Sequence, residues 1–250
     1  SMGVQSFHPE DLRFLNRRHD REQAIKAVEL CKEYGITNIS IDLIYGLPNQ
    51  TQQAWEENLR QAIRLDVPHL SAYHLIYEEG TALYKLLEAG KVTTINEELS
   101  VSFFSTLIDR LAEAGYLHYE ISNFARPGFF SKHNSSYWTG KKYLGLGPSA
   151  HSYNGIDREW NPSSLPIYIE GIENGHPTIE SEDLDLCTRY NDFIITGLRT
   201  MWGVSFADIQ TKFGRKLLSY CQKQAQPHIN QGLLLQTGDK LILSKSGIFV

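Results

Sequence analysis

Cysteine is scarce in this sequence: among 250 residues only Cys31, Cys187 and Cys221 occur. Three widely separated cysteines do not make a disulfide framework or a cysteine-only metal site, so we expect a reducing compartment, the cytoplasm. No apolar run approaches the ~18 residues that a membrane-spanning helix needs. The first residues also lack the basic and apolar pattern of a signal peptide. The composition therefore argues against disulfide-rich secreted proteins and membrane-spanning proteins.

Positive charge is not in excess either. Lys and Arg number 24 against 29 Asp and Glu, which gives a formal net charge of -5. A nucleic-acid-binding domain usually carries a basic surface, so nucleic acid is not an expected partner. The sequence has no internal repeat and no low-complexity tract. Its length suits one large domain or two of ordinary size.

The first 76 residues alternate between strand-like and helix-like segments. Asp20 is a predicted N-cap for a helix that ends at Gly35, and Thr51 caps a second helix to about Leu65. Predicted strands run over residues 2–7, 39–44 and 70–76. This alternation predicts right-handed βαβ units and a parallel sheet, and three such strands are too few for a closed eight-stranded barrel.

The opening of the chain directly on a strand leads us to expect that the sequence begins inside a fold. The strand over residues 2–7 is then an exposed sheet edge, and such an edge tends to pair with another chain. We therefore expect possible self-association through this first strand.

The pattern changes after Gly80. A long helix is predicted over 96–114 and a strand over 116–121, and residues 123–149 read as ordered but irregular structure rich in aromatics. From about residue 178, three helical segments precede a hairpin about Thr237-Gly238-Asp239. We therefore predict three parts: residues 1–115 with the parallel sheet, a connecting region over 116–177, and a small winged-helix-like α+β domain over 178–250.

Polar residues on the parallel strands are candidates for a site, because loops at the carboxyl ends of such strands meet over the sheet. Strand alternation places Asp42 on one face with Ser40 and Ile44, which we predict to be the inner face. A buried carboxylate there needs donors such as ribose hydroxyls or a cation, or else it is a structural Asp held by backbone amides. The same reasoning predicts His74 on the inner face of the third strand, as a ligand or as a satisfied core residue. Gln5 ends the first strand.

Two further strings have open interpretations. Arg17 follows the first short helix, where its guanidinium either binds a carboxylate or phosphate or is simply solvated. The glycines of 145–150 superficially match a phosphate-binding loop, but such a loop opens a helix directly after a strand. Pro148 and the residues after it instead predict a turn into another strand, with glycines that permit close backbone packing.

The string from His133 to Trp138, His-Asn-Ser-Ser-Tyr-Trp, places an imidazole beside two large aromatic rings. Such a group suits a planar cofactor such as a porphyrin, with His133 as iron ligand and Tyr137 and Trp138 near the ring. The alternative is an aromatic-anchored loop with an incidental histidine. The residues alone leave both interpretations open.

Four segments carry a resemblance to a known family: residues 3–7, Asn16-Arg17, residues 41–48 and residues 123–127. In these the sequence resembles the radical S-adenosylmethionine (SAM) family of oxygen-independent coproporphyrinogen III oxidases, and His133-Asn134-x-x-Tyr137-Trp138 is similar to the motif of its HemW-type heme chaperones. The resemblance implies a partial (β/α)6 barrel, bound SAM, a [4Fe-4S] cluster in the intact protein, and heme held for delivery to hemoproteins. The alternative function in this family is the SAM-dependent oxidative decarboxylation of porphyrinogen propionates.

The resemblance also implies roles for particular residues. Gln5 and Asp42 match positions that hold the SAM ribose, Arg17 one near the methionyl carboxylate, and His133, Tyr137 and Trp138 the heme motif. The family's Cys-x-x-x-Cys-x-x-Cys loop has no counterpart here. We therefore expect a chain that carries the second half of the barrel and the winged-helix-like domain, and that holds no cluster and performs no radical chemistry itself.

Overall fold

Strands and helices alternate at the start of the chain, as the sequence predicts. The computed structural model describes all residues, 1–250. Its first elements are β1 (Met2–Gln5), α1 (Pro9–Phe14), α2 (Arg21–Glu33), β2 (Ser40–Tyr45), α3 (Gln52–Arg64) and β3 (His69–His74). The predicted caps are confirmed, since the side chain of Asp20 accepts a hydrogen bond from the backbone N–H of Gln23 and that of Thr51 from Ala54.

The next elements complete one mixed sheet. They are α4 (Ala82–Glu88), α5 (Glu97–Glu113), β4 (Leu117–Glu120) and β5 (Asn123–Ala125). The strand order is β1-β2-β3-β5-β4, with β1, β2 and β3 parallel and β5 antiparallel to both of its neighbours. The first part of the predicted connecting region thus extends this sheet. The chain forms two compact units, residues 1–130 and 131–250.

The core of the first unit lies between the sheet and its helices. Ile41 and Leu43 of β2 are fully buried in it, whereas Asp42 is half-buried on the opposite face, as the alternation predicts. Trp55 of α3 donates its indole N–H to the carbonyl of Phe103 on α5 at 2.9 Å. This bond joins two helices on the same face of the sheet.

The prediction that His74 lies on the inner face of the third strand, the face that carries Asp42 on β2, is wrong. Register pairs Asp42 with Ser71 and Tyr45 with His74, so His74 shares the core face with Tyr45. The rings of Tyr45 and His74 pack edge to face at 5.2 Å. Alternation along a strand fixes which residues share a face but not which of the two faces packs against the helices. Here the apolar Leu70 and Ala72 face the core, so His74, which alternates with the same parity, faces it as well.

The second unit contains two three-stranded antiparallel sheets, β6-β7-β8 and β10-β11-β9. Its elements are α6 (Lys132–Trp138), β6 (His151–Tyr153), β7 (Asp157–Trp160), α7 (Leu165–Glu173), β8 (Glu180–Asp183), α8 (Leu186–Leu198), β9 (Val204–Ser205), α9 (Phe206–Asn230), β10 (Leu234–Thr237), β11 (Lys240–Leu243) and a final 3-10 turn (Gly247–Phe249). The backbone of Gly214 is not helical and divides α9 into the two helices that the sequence predicts. Helices followed by the β10–β11 hairpin give the predicted winged-helix-like arrangement.

The glycine string over 145–150 leads into β6, as expected. A Cβ at Gly145 would lie 2.2 Å from the carbonyl oxygen of His151, so the glycine allows the backbones to approach. No helix of the structure combines the length and the apolar character needed to cross a membrane.

Candidate functional site

A row of polar side chains crosses the sheet of the first unit on the face away from the helices, which we call the polar face. Register places Asp42 beside Ser71, Ser71 beside Asn123, and Asn123 beside Glu120. Ser71 Oγ donates to Asn123 Oδ1 at 2.9 Å, and Asn123 Nδ2 donates to the Glu120 carboxylate. Ser71, Asn123 and Glu120 are buried. Sequence reasoning did not find these three, because their alignment depends on pairing between distant strands.

His69 completes the polar face next to Asp42. Its Nδ1 lies 2.7 Å from Ser40 Oγ and its Nε2 lies 2.8 Å from the Tyr119 hydroxyl. Burial lowers the pKa of His69 to about 4, and the negative charge of Asp42 opposes that shift in part. The imidazole is therefore neutral near pH 7 and uses one nitrogen as donor and the other as acceptor.

Asp42 keeps most of its hydrogen-bonding capacity. Both carboxylate oxygens accept from Ser1 Oγ, at 3.1 and 3.3 Å, and no backbone amide donates to them. The interpretation of Asp42 as a structural residue held by backbone amides is therefore not what the structure shows. A half-buried carboxylate with free lone pairs can accept hydrogen bonds from ligand hydroxyls.

Gln5 lies at the end of β1 in a left-handed conformation, with a φ of 66°. Its side chain folds back across Gly3, since a Cβ at Gly3 would lie 2.5 Å from Gln5 Nε2. Met2 and Val4 contact the core, so Gly3, which alternates with them, faces the other way. The structure thus brings the amide of Gln5 and the carboxylate of Asp42 to the same face of the sheet.

Arg17 lies in the turn after α1 and is exposed. Its backbone N–H donates to the carbonyl of Leu12, while its side chain has no hydrogen bond or ion pair. Two residues later, His19 Nε2 lies 3.1 Å from the carbonyl oxygen of Val4, so this turn docks at the end of β1 beside Gln5. The structure shows no contact between Arg17 and Asp42.

The His133 motif forms a short helix, α6, where the sequence predicted irregular structure. Ser131 caps it by accepting from the backbone N–H of Asn134 at 3.3 Å, and this serine before the motif is the signal that could have predicted the helix. His133 is exposed and lies one turn before Tyr137, with its Nε2 3.3 Å from the Tyr137 hydroxyl. The two rings meet edge to face at 5.1 Å.

A cavity of about 700 Å³ lies in the second unit beside α6. Tyr137 and Trp138 line it, and His133 does not. The indole N–H of Trp138 is buried without a partner, and the guanidinium of Arg199 lies 4.8 Å from the centre of the indole ring. Other aromatic rings in the lining are those of Tyr143, Tyr153, Trp202, Phe193 and Phe213. The volume falls in the range of roughly 300–1,000 Å³ that is usual for sites of organic ligands, and the lining combines these rings with charged side chains.

The cysteines do not fit an iron–sulfur cluster. Cys31 lies on α2, Cys187 on α8 and Cys221 on α9, and no three His, Cys, Asp or Glu side chains converge as metal ligands. A four-iron cube is usually held by several cysteine thiolates. The residues of this chain therefore do not provide the cluster site that the resemblance implies for the intact protein.

Comparison with known families matches both ends of the chain. Residues 1–62 match the Radical SAM superfamily, and residues 184–250 match the HemN C-terminal domain. The chain is 32% identical to the heme chaperone HemW of Bacillus subtilis (strain 168), over 99% of this chain and 65% of the relative. It is 30% identical to the mitochondrial radical S-adenosyl methionine domain-containing protein 1 of Mus musculus, over 100% of this chain and 59% of the relative.

Among solved structures, the fold is similar to that of coproporphyrinogen III oxidase (HemN) from Escherichia coli, described as a radical SAM enzyme. The TM-score is 0.79 at 22% identity, over 99% of this chain and 61% of the other. The chain thus spans less than two thirds of the length of the proteins it matches. This likeness supports the predicted partial barrel followed by a winged-helix-like domain.

Proposed function

We propose that this chain belongs to the HemN and HemW group of the radical SAM superfamily and is the heme-binding part of a heme chaperone that acts in the cytoplasm and delivers heme to hemoproteins. The observation that carries the proposal is the position of the motif on α6. Tyr137 and Trp138 are walls of the cavity in the second unit, and His133 stands beside Tyr137 with an exposed imidazole.

The residues at this site fit a heme. The flat face of a porphyrin packs well on aromatic rings, and the unpaired indole N–H of Trp138 is a donor available to a ligand. We propose that His133 supplies an axial ligand to ferric heme. An exposed imidazole on a short surface helix leaves the heme accessible, which suits transfer to a recipient protein.

The axial ligand is tested by titrating heme into the chain and following the Soret band. We expect His133→Ala to weaken heme binding by about tenfold or more, because it removes the imidazole donor. His176→Ala, at another exposed histidine of the second unit, is the matched control and should change nothing. Equal heme affinity in wild type and His133→Ala contradicts the assignment of the ligand.

We further propose that the polar face of the first unit holds SAM through Gln5, Asp42 and Arg17. The three side chains fit this role, because Asp42 has free lone pairs and Arg17 is uncommitted, while Gln5 presents an amide on the same face as Asp42. In radical SAM proteins SAM is the source of a 5′-deoxyadenosyl radical, which requires the cluster. Because this chain offers no cluster site, we propose that its residues bind SAM weakly and do not cleave it.

Calorimetry tests the SAM site. We expect Asp42→Asn to weaken SAM binding by about tenfold, since the amide replaces one of the two accepting carboxylate oxygens by a donor and removes the negative charge that strengthens hydrogen bonds from hydroxyls. Asp183→Asn, at an exposed carboxylate of the second unit, should leave SAM binding unchanged. Submicromolar SAM affinity in the wild-type chain would show that the expectation of weak binding is wrong.

A further inference from the structure

The cavity of the second unit carries an excess of cationic side chains among its aromatic walls. Four basic residues line it, Arg158, Arg189, Lys212 and Lys240, against two acidic ones, Asp192 and Asp208. Arg158 is already committed, because its guanidinium donates to Asp192 at 2.8 Å and lies 3.8 Å from Glu182. The ammonium of Lys212 lies 4.5 Å from the centre of the Phe193 ring.

Arg189 of α8 lines the cavity without an ion pair. Its Nε is buried and has no hydrogen-bond partner, and no carboxylate lies within ion-pair distance of its guanidinium. Asp185, the N-cap of this helix, accepts from the backbone N–H of Thr188 at 2.7 Å, which lowers the pKa of its carboxyl, and the charge of Arg189 adds to that lowering without forming an ion pair. A shielded guanidinium N–H without an acceptor is costly, so this position favours a ligand that brings one.

Aromatic walls and an unpaired guanidinium together describe one class of ligand: a flat conjugated ring with carboxylate side groups. Guanidinium groups bind carboxylates through paired hydrogen bonds that an ammonium cannot reproduce. We propose that Arg189, assisted by Lys212, binds the carboxylates of a porphyrin whose ring packs against Tyr137 and Trp138. This inference rests on the proposed function and deepens it, since it names the groups that recognise the cargo.

Recognition through carboxylates has a consequence that separates it from axial ligation. Binding by Arg189 depends on the propionates and not on iron, so metal-free protoporphyrin IX should enter the same cavity. Ligation by His133 depends on iron and not on the propionates. Metal-free protoporphyrin IX therefore measures the carboxylate contribution in the absence of iron ligation, and its dimethyl ester measures binding without either contribution.

The test measures binding of protoporphyrin IX and of its dimethyl ester to the full chain by fluorescence. We expect Arg189→Gln to weaken binding of the free acid by on the order of tenfold to a hundredfold, the usual range for a charge-assisted pair. The ester should bind wild type and Arg189→Gln with equal affinity, because esterification already removes the partner of Arg189. Arg215→Gln, at an exposed arginine of α9 away from the cavity lining, is the matched control.

Equal weakening of acid and ester by Arg189→Gln would overturn the inference, because it would show loss of shape and not of a carboxylate contact. Undiminished acid binding in that variant would overturn it as well. Arg189→Lys keeps the charge and should recover only part of the affinity, which separates the paired hydrogen bonds from simple charge.

The two proposals fail separately. Heme binding that depends on His133, together with ester binding as tight as acid binding, would reject the carboxylate site and leave the chaperone proposal standing. Binding of metal-free porphyrin that depends on Arg189, together with heme affinity insensitive to His133→Ala, would reject the axial ligand alone. A wild-type chain that binds neither heme nor protoporphyrin IX rejects both.

Discussion

The imidazole of His69 links the polar face to the stability of the first unit. Burial lowers the pKa of His69 to about 4, whereas an exposed imidazole titrates near ~6.5. Between these values the unfolded chain binds a proton that the folded chain does not, so the free energy of unfolding falls as the pH falls from about 6.5 to about 4. We expect this histidine to account for about 2 kcal/mol of the stability lost between about pH 7 and about pH 5.

His69→Gln tests this effect, because glutamine can hydrogen-bond with Ser40 and Tyr119 but does not titrate in this range. Urea unfolding at a series of pH values should show that the free energy of unfolding falls less steeply with falling pH for the variant than for wild type. Other buried groups, including His118, whose pKa is also lowered by burial, contribute equally to both proteins. A wild-type His69 that titrates near pH 6.5 by NMR would contradict the prediction.

Single residues were predictable from the sequence where the information was local. Alternation along β2 placed Asp42 correctly, because one strand fixes its own two faces. The partners of Asp42 were not predictable, since Ser71 and Asn123 join it only through register between strands that are far apart in sequence. The local pattern also did not show that Arg189 is left unpaired.

At the scale of elements, Gly203 permits the turn between α8 and β9. Its φ is +67°, and a Cβ there would lie 2.1 Å from the carbonyl oxygen of Leu241 on β11. Gly232 has a similar φ of +73°, but a Cβ would meet open space. The two glycines therefore share the conformational requirement and differ in the close approach of a neighbouring strand.

We expect Gly203→Ala to destabilise the second unit by about 3 kcal/mol or more, because strain and a backbone clash add. Gly232→Ala should cost only about 1 kcal/mol, the strain of a left-handed alanine. Urea unfolding followed by tryptophan fluorescence reports the comparison, since three of the four tryptophans, Trp138, Trp160 and Trp202, lie in the second unit. Equal losses in the two variants would show that the packing of this turn against β11 contributes nothing.

Elements with strong boundary signals were predictable, and elements held by pairing were not. The capped helices α2 and α3 and the β10–β11 hairpin lie where the sequence put them. β8 has the sequence Glu-Ser-Glu-Asp, which has little intrinsic preference for a strand. It forms because β7 pairs with it, and Trp160 donates its indole N–H to Glu180 at 2.9 Å across that pair.

For the whole molecule, the order of elements was enough to predict a parallel sheet followed by a winged-helix-like unit. What the order did not reveal is that β4 and β5 return to the sheet of the first unit. They do so because residues of β5 pair antiparallel with β3, placing Phe124 in the core beside Leu70. Such a return has no local sequence signal, since its stability comes from burial of residues more than 50 positions apart.

The arrangement of the sheet also bears on association. β1 is an edge strand and pairs on one side only, with β2, so part of its backbone hydrogen-bonding capacity is available to another chain. The other edge of the sheet is β4, whose Leu117 is exposed. Both strands lie at edges of the sheet, but only β1 lies at the edge formed by parallel strands. We therefore predict that the chain self-associates through β1 as its concentration rises.

Sedimentation velocity across a wide range of concentrations tests this prediction. Gly3 is exposed on β1, and a lysine there faces only the flexible amide of Gln5, so Gly3→Lys places a charge on the edge without disturbing the core. We expect Gly3→Lys to shift the chain towards monomer, while Leu117→Lys on the opposite edge leaves association unchanged. Association that depends on Leu117 would assign the contact to β4, and a wild-type chain that stays monomeric at the highest concentration would show that the β1 edge does not recruit a second copy.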